Sequence, residues 1–210
     1  MNYKQTLDNI AERIEYIICN YEADLIPTED YGWVNRRYQN NKFRLAHIER
    51  YSDKNLEVLH VTCFPNEKYQ HPIFGFDIIC TDKKPLAAFM DWSPVDNTLS
   101  YACEYDFEKP YPLPDWAKII FSPMALGIIP NDNELDKLTD IVIHNFDMYM
   151  KILDGAKQNQ YRTDYIIASQ NRYCDNQQKN ERTYNVLKAK LGQEKARYFM
   201  ETILFPKINK

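Results

Sequence analysis

Between residues 33 and 106 the chain runs as six short apolar-rich segments, at about 33–39, 43–50, 56–63, 73–80, 85–91 and 99–106. Turn-rich stretches part them, among them Asn40-Asn41, Ser52 to Asn55 and Thr81-Asp82-Lys83-Lys84. Connections this short leave no room for the crossovers that parallel strands need, so the segments must pair as an antiparallel meander. Residues 3–20 carry Leu7, Ile10, Ile14, Ile17 and Ile18 at helical spacing, which predicts an amphipathic helix ahead of the sheet. From Leu113 the pattern changes. Pro114-Asp115-Trp116 opens a helical turn, and Pro123 and Pro130 break the chain after it. Leu135, Leu138, Ile141, Val142, Phe146, Met150 and Leu153 then mark a helix from Asn133 that stops at Gly155. Further helices are expected over 158–176 and 180–203, the second broken near Gly192. A helix, a sheet and then helices give an α+β fold: a three-layer α/β/α sandwich whose central antiparallel sheet is flanked by helices. With no linker, repeat or low-complexity tract, residues 1–210 read as one domain.

Three of the strands hold ionisable residues in register. They are Phe43 to Glu49, Leu56 to Cys63 and Ile73 to Cys80. If each turn is the centre of a symmetric hairpin, His47 lies opposite His60 and His60 lies opposite Asp77. Such partners have Cβ atoms about 5 Å apart. Glu49, two residues from His47, points to the same face. Each residue alone has an ordinary structural use, in a core, at an edge or at a strand end. Gathered on one face they suit proton transfer, and spacing leaves both readings open. Gly75 and Ala88 are read as small residues leaving room for a flat ligand there; for Gly75, a twist or bulge serves equally well.

Several function classes are excluded or disfavoured. Net charge is −4, against general nucleic-acid binding. Two stretches are nevertheless basic: Arg36, Arg37, Lys42, Arg44 and Arg50, and Lys179, Arg182, Lys188, Lys190, Lys195 and Arg197. They are either solvated faces or a docking patch for an acidic partner. The five cysteines are scattered and lack CxxC spacing, which argues against a disulfide framework, a zinc site or an iron–sulfur cluster and fits a reducing cytoplasm. No apolar run spans a bilayer, and Met1 to Gln5 lacks the apolar core of a secretion signal. GxGxxG, P-loop and GxSxG motifs are absent, and His144 sits in a predicted helix without metal-ligand spacing. An enzyme built on this chain must work with protonatable side chains and a bound ligand or an external electron source.

At these residues the chain resembles the ferredoxin-dependent bilin reductases, most of all their phycocyanobilin-forming branch. Leu56-Glu57-Val58-Leu59-His60, Cys63-Phe64-Pro65 and Pro72-Ile73-Phe74-Gly75-Phe76-Asp77-Ile78 carry the likeness, followed by Ala87-Ala88-Phe89-Met90-Asp91-Trp92-Ser93-Pro94. Tyr173 to Asn180, Arg197-Tyr198-Phe199-Met200 and Leu204-Phe205 extend it towards the C-terminus. The resemblance covers most of residues 30–208, with its motifs in family order.

The resemblance implies an enzyme that holds biliverdin IXα between the sheet and the C-terminal helices and reduces it to a phycobilin. No flavin, metal or nicotinamide is bound; reduced ferredoxin supplies single electrons, and the bilin passes through radicals while the protein supplies protons. On this likeness Asp77 is the central proton donor, His60 works with it, and His47 is hydrogen-bonded behind. Glu49 resembles the carboxylate used near the D-ring vinyl group, which favours phycocyanobilin as product, with phycoerythrobilin as the alternative. Asn180, Glu181 and Arg182 fall where the family closes the pocket. Arg182 suits a bilin propionate, since a guanidinium grips a carboxylate in two places. Glu181, where relatives often carry aspartate, is either a second proton donor or a loop-shaping residue. Ala87 replaces a small polar residue that reaches a propionate in some relatives. A reading from another class is a bilin carrier without turnover, against which the Asp77 and His60 pair speaks. A cytoplasmic monomer without nucleic-acid or membrane partners is expected, and richness in Asn, Lys, Tyr and Ile hints at an AT-rich, phage-like genome.

Overall fold

The computed structural model describes residues 2–98, 105–113 and 115–209, apart from the Trp116 side chain. Seven strands form one antiparallel sheet in the order β1-β2-β3-β4-β5-β6-β7, each pairing with its sequence neighbour. They are β1 Asp24–Ile26, β2 Val34–Gln39, β3 Phe43–Ser52, β4 Leu56–Pro65, β5 Ile73–Thr81, β6 Pro85–Ser93 and β7 Leu126–Ile128. The helices are α1 Tyr3–Cys19, α2 Asp115–Lys118, α3 Leu135–Gly155, α4 Thr163–Gln177, α5 Glu181–Leu191 and α6 Gln193–Tyr198, followed by a π-helical turn over Phe199–Leu204. The strand expected at 99–106 falls mostly outside the described residues, and Tyr105 and Asp106 belong to no strand.

Helices cover both faces, as a three-layer sandwich requires. The first face packs beneath α1 and α3. Leu7, Ile10, Ile14 and Ile18 of α1 meet Phe74, Phe76, Ile78 and Val61 of the sheet in one core. The Asn2 side chain caps α1, and a reciprocal box between Asn131 and Glu134 starts the turn that leads into α3. On the second face Leu45, Phe64 and Ile73 bury against Ile166, Phe199, Met200 and Leu204 from the C-terminal helices. Gly192, at φ +80°, breaks α5 from α6 in a conformation open mainly to glycine.

The 36–50 basic stretch is not a free surface. Arg50 is buried, gripped by Asp8 and Glu57 where α1 crosses the sheet. Arg44 lies over the Phe64 ring and donates to Gln170 Oε1 at 2.8 Å. Arg36 pairs with Glu15, and Lys42 donates to the Ala156 carbonyl at 3.0 Å. By contrast, Lys188, Lys195 and Arg197 are exposed on the C-terminal helices and Lys179 on the turn ahead of α5.

Candidate active site

The β4–β5 hairpin brings His60 opposite Asp77, as the symmetric turn from Pro65 to Pro72 requires. The β3–β4 hairpin is displaced by two residues from the symmetric expectation: Glu49, not His47, stands opposite His60, and His47 stands opposite Thr62. The cause is Asp53, whose Oδ1 accepts from the backbone N–H of Asn55 and Leu56 at 2.8 and 2.9 Å. This Asx turn closes Asp53 onto Leu56 and moves the hairpin centre by one residue. A two-residue shift preserves the face, so the cluster survives. A bulge between Phe43 and Leu45 lies beyond it and leaves its pattern intact.

The result is one cross-strand row, Asn35–Glu49–His60–Asp77–Phe89, running over β2 to β6. Glu49, His60, Asp77 and Phe89 of this row form the floor of a cleft of about 360 Å³. Volumes of this size suit small-molecule ligands. Val58, Ile79, Ala87 and Phe89 make much of the floor apolar, and Gln177, Asn180, Arg182, Val186 and Lys190 form the opposite wall. Trp33 and Tyr51 line the cleft beside Glu49, and Phe121 stacks on Phe89 at 5.5 Å between centroids.

Within the row, His60 Nδ1 and Asp77 Oδ1 are 2.6 Å apart, a short bond with one proton between imidazole and carboxyl. Burial lowers the proton affinity of His60, but the charge and hydrogen bond of Asp77, with Glu49 added, outweigh it and leave the imidazole above its ordinary value. Glu49 is pushed up to about 7, chiefly by burial; His60 and the Trp33 hydrogen bond pull the other way, and Asp77 adds to the rise. Glu49 therefore holds a proton over part of the neutral range while remaining able to lose it. His47 is fully buried and held well below its usual range by burial and by the neighbouring His60 and Arg37, so it stays neutral. Its Nε2 is 3.1 Å from Asn35 Oδ1, and its ring centroid is 6.0 Å from that of His60.

Other expected residues divide. Asn180 caps α5, its Oδ1 accepting from the Arg182 backbone at 3.1 Å, and both residues line the cleft. Glu181 is exposed in the first turn of α5 and is not part of the cleft wall. Ala88 is misplaced by one residue: it pairs with Ile78 and lies in the core beneath the other face, while Ala87 faces the cleft. Alternation along β6 forces this outcome. Gly75 shares the face but not the cleft; a Cβ there would lie 3.6 Å from the Tyr173 hydroxyl, so α4, not a ligand, covers it. The cleft also takes in Gln177 and Phe205, which the sequence marked only as parts of the resembling motifs, Lys190, marked only as one of a basic stretch, and Trp33 and Tyr51, which it did not mark. Of the last two only Tyr51 offered a signal, as an aromatic two residues from the β3 acid and on the same face. Among the described residues no cluster of three or more His, Cys, Asp or Glu could hold a metal ion, and no helix is long and apolar enough to cross a membrane.

Comparison with known proteins agrees with this geometry. The phycocyanobilin:ferredoxin oxidoreductase of Prochlorococcus marinus is 31% identical, with 94% of this chain and 89% of that protein aligned. The enzyme of the same name from Trichodesmium erythraeum is also 31% identical, over 97% of this chain and 92% of the relative. Among solved structures, PcyX shares the fold with a TM-score of 0.68 at 24% identity, covering 97% of this chain and 99% of the other. Tomato phytochromobilin synthase, solved in complex with biliverdin, superposes with a TM-score of 0.73 at 15% identity, over 91% and 81% of the two chains. Residues 23–206 match the family described as ferredoxin-dependent bilin reductase. A meander clad by helices, with a carboxyl–imidazole row on the floor of its cleft, thus belongs to a chain that is a member of the ferredoxin-dependent bilin reductase family.

Proposed function

We propose that this reductase converts biliverdin IXα to phycocyanobilin, taking electrons singly from reduced ferredoxin and protons from the floor of the cleft. The observation that carries this reading is the row Glu49–His60–Asp77 along one wall of a largely apolar cleft. A conjugated tetrapyrrole that gains an electron becomes more basic, so each reduction creates demand for a proton. Asp77, at 32% side-chain exposure the most accessible of the three, delivers it, and His60 returns a proton to Asp77 across their 2.6 Å bond. Each pair of electrons is matched by two protons, and no group on the protein changes its redox state.

Glu49 supports the choice of product. It stands two strands from Asp77, separated by His60, so its proton reaches a different part of a flat ligand. In this reading it serves the D-ring vinyl group. Arg182, on the opposite wall, receives a propionate, and the exposed basic residues of α5 and α6 form the face that ferredoxin approaches.

The test is an anaerobic assay with biliverdin IXα, a ferredoxin and a reducing system, read by chromatography of the released bilin. The reading expects phycocyanobilin. Bound but unchanged biliverdin would mean a carrier, and phycoerythrobilin as sole product would remove Glu49 from its assigned step.

A further inference from the structure

We propose that Trp33 is a positioning residue for Glu49, fixing which carboxyl oxygen carries the transferable proton. Trp33 Nε1 lies 2.9 Å from Glu49 Oε1. An indole N–H can only donate, so the oxygen it holds must accept. The carbonyl oxygen of a neutral carboxyl group is its stronger acceptor, so the contact favours the proton of neutral Glu49 on Oε2. Without this contact the two oxygens of a carboxyl group are chemically equivalent, and the proton would leave in either direction.

The indole is held in place to do this. Its ring packs edge-on against Tyr51 at 5.6 Å and tilted against Phe199 at 5.6 Å and Tyr31 at 6.0 Å. The loop that presents it is fixed too: Gly32, at φ +84°, donates its N–H to Asp30 Oδ1 at 2.8 Å. Trp33 also lines the cleft, so the group that orients Glu49 meets the ligand directly.

A donor bonded to a carboxyl group favours its ionised form, so this contact also opposes the effect of burial on Glu49. Other charged or titratable groups face the same space: His60 and Asp77 from β4 and β5, His47 and Tyr51 along β3, Arg37 from β2, and Arg182 and Lys190 from α5. All of them remain when the indole N–H alone is removed, so its contribution is separable.

The inference rests on the reading of Glu49 as a proton donor. The experiment is infrared difference spectroscopy of the biliverdin-bound protein across pH, with the Glu49 carboxyl C=O band identified by its loss in Glu49→Gln. In Trp33→Phe the band should move to higher frequency, because its carbonyl loses a donor. The midpoint of its disappearance should rise by about 0.5–1 pH unit, the equivalent of one hydrogen bond. The product mixture of Trp33→Phe should shift towards that of Glu49→Gln, and adding Trp33→Phe to Glu49→Gln should change it no further. If Trp33→Phe does not fold, benzothienylalanine at position 33 keeps the shape and removes only the N–H. An unmoved band and midpoint, with product altered in Glu49→Gln, would overturn the role of Trp33 alone. An unaltered product in Glu49→Gln would overturn the reading of Glu49 and this inference with it.

Discussion

Glu49 should leave its mark on stability as well as on chemistry. The side chain is 8% exposed, and its carboxyl is pushed from an ordinary 4.5 to about 7. Well below pH 4.5 folded and unfolded chains both carry the proton and burial costs little, and at pH 4.5 the unfolded chain is only half ionised. As pH rises towards 7 the unfolded chain ionises while the folded one does not, so stability falls. Above 7 both are ionised and the whole cost is present. A shift of this size corresponds to about 3 kcal/mol, since each pH unit is worth about 1.4 kcal/mol. Glu49→Gln keeps the shape and an acceptor for Trp33 but cannot ionise. Denaturant unfolding of both proteins at pH 4.5 and pH 8 isolates the term, because other titrations largely cancel in the difference. The variant should gain about 3 kcal/mol on wild type between the two conditions. A difference that stays constant within about 0.5 kcal/mol, the usual scatter for independent sites, would show that Glu49 ionises freely and holds no proton near neutrality.

Two further outcomes are expected. His71, buried against Tyr149 and Trp92, is held down at about 4, mainly by burial. The unfolded chain therefore takes up this proton first as pH falls from 6.5 to 4, so this side chain alone costs wild type about 3 kcal/mol over that window, opposite in sign to the Glu49 contribution; His71→Phe should gain about that much on wild type between pH 6.5 and pH 4 in denaturant unfolding, and a constant difference would refute it. Charge reversal at Lys188 and Lys195, both exposed on the C-terminal helices, should raise the KM for ferredoxin several-fold at low salt. The effect should shrink as salt rises, since screening acts over about 8–10 Å, and salt-independent turnover would count against charge-steered docking.

Much of the fold was legible because its connections are short. The meander, α1 and the break at Gly192 follow from turn residues and apolar spacing, which are local properties. The three-residue strands β1 and β7 were not, since a segment that short carries no periodicity and is recruited only by a neighbouring strand. The site was legible by face but not by register. Parity placed His47, Glu49, His60 and Asp77 together, whereas the Asp53 side chain moved the hairpin centre and exchanged the partner of His60. Ala88 failed by the same rule that succeeded for Asp77: one step along a strand reverses the face. The basic stretch at 36–50 misled because linear charge says nothing about which arginines a helix will cover. Arg50 is such a case, taken up by Asp8 of α1, 42 residues away in sequence. Tyr173 over Gly75 lay beyond reach, as the contact joins α4 to β5 across nearly a hundred residues.

The central claim is that Asp77 passes protons to the reduced bilin and is reloaded through His60. Asp77→Asn tests it most directly. The amide keeps the size of the side chain and its place opposite His60, so biliverdin should still bind with a comparable spectrum. Under anaerobic turnover with reduced ferredoxin, electrons should enter but protons should not follow, and a bilin radical should accumulate in the absorption and electron spin resonance spectra while product release stops. Product formed at the wild-type rate, with no radical build-up, would contradict the account.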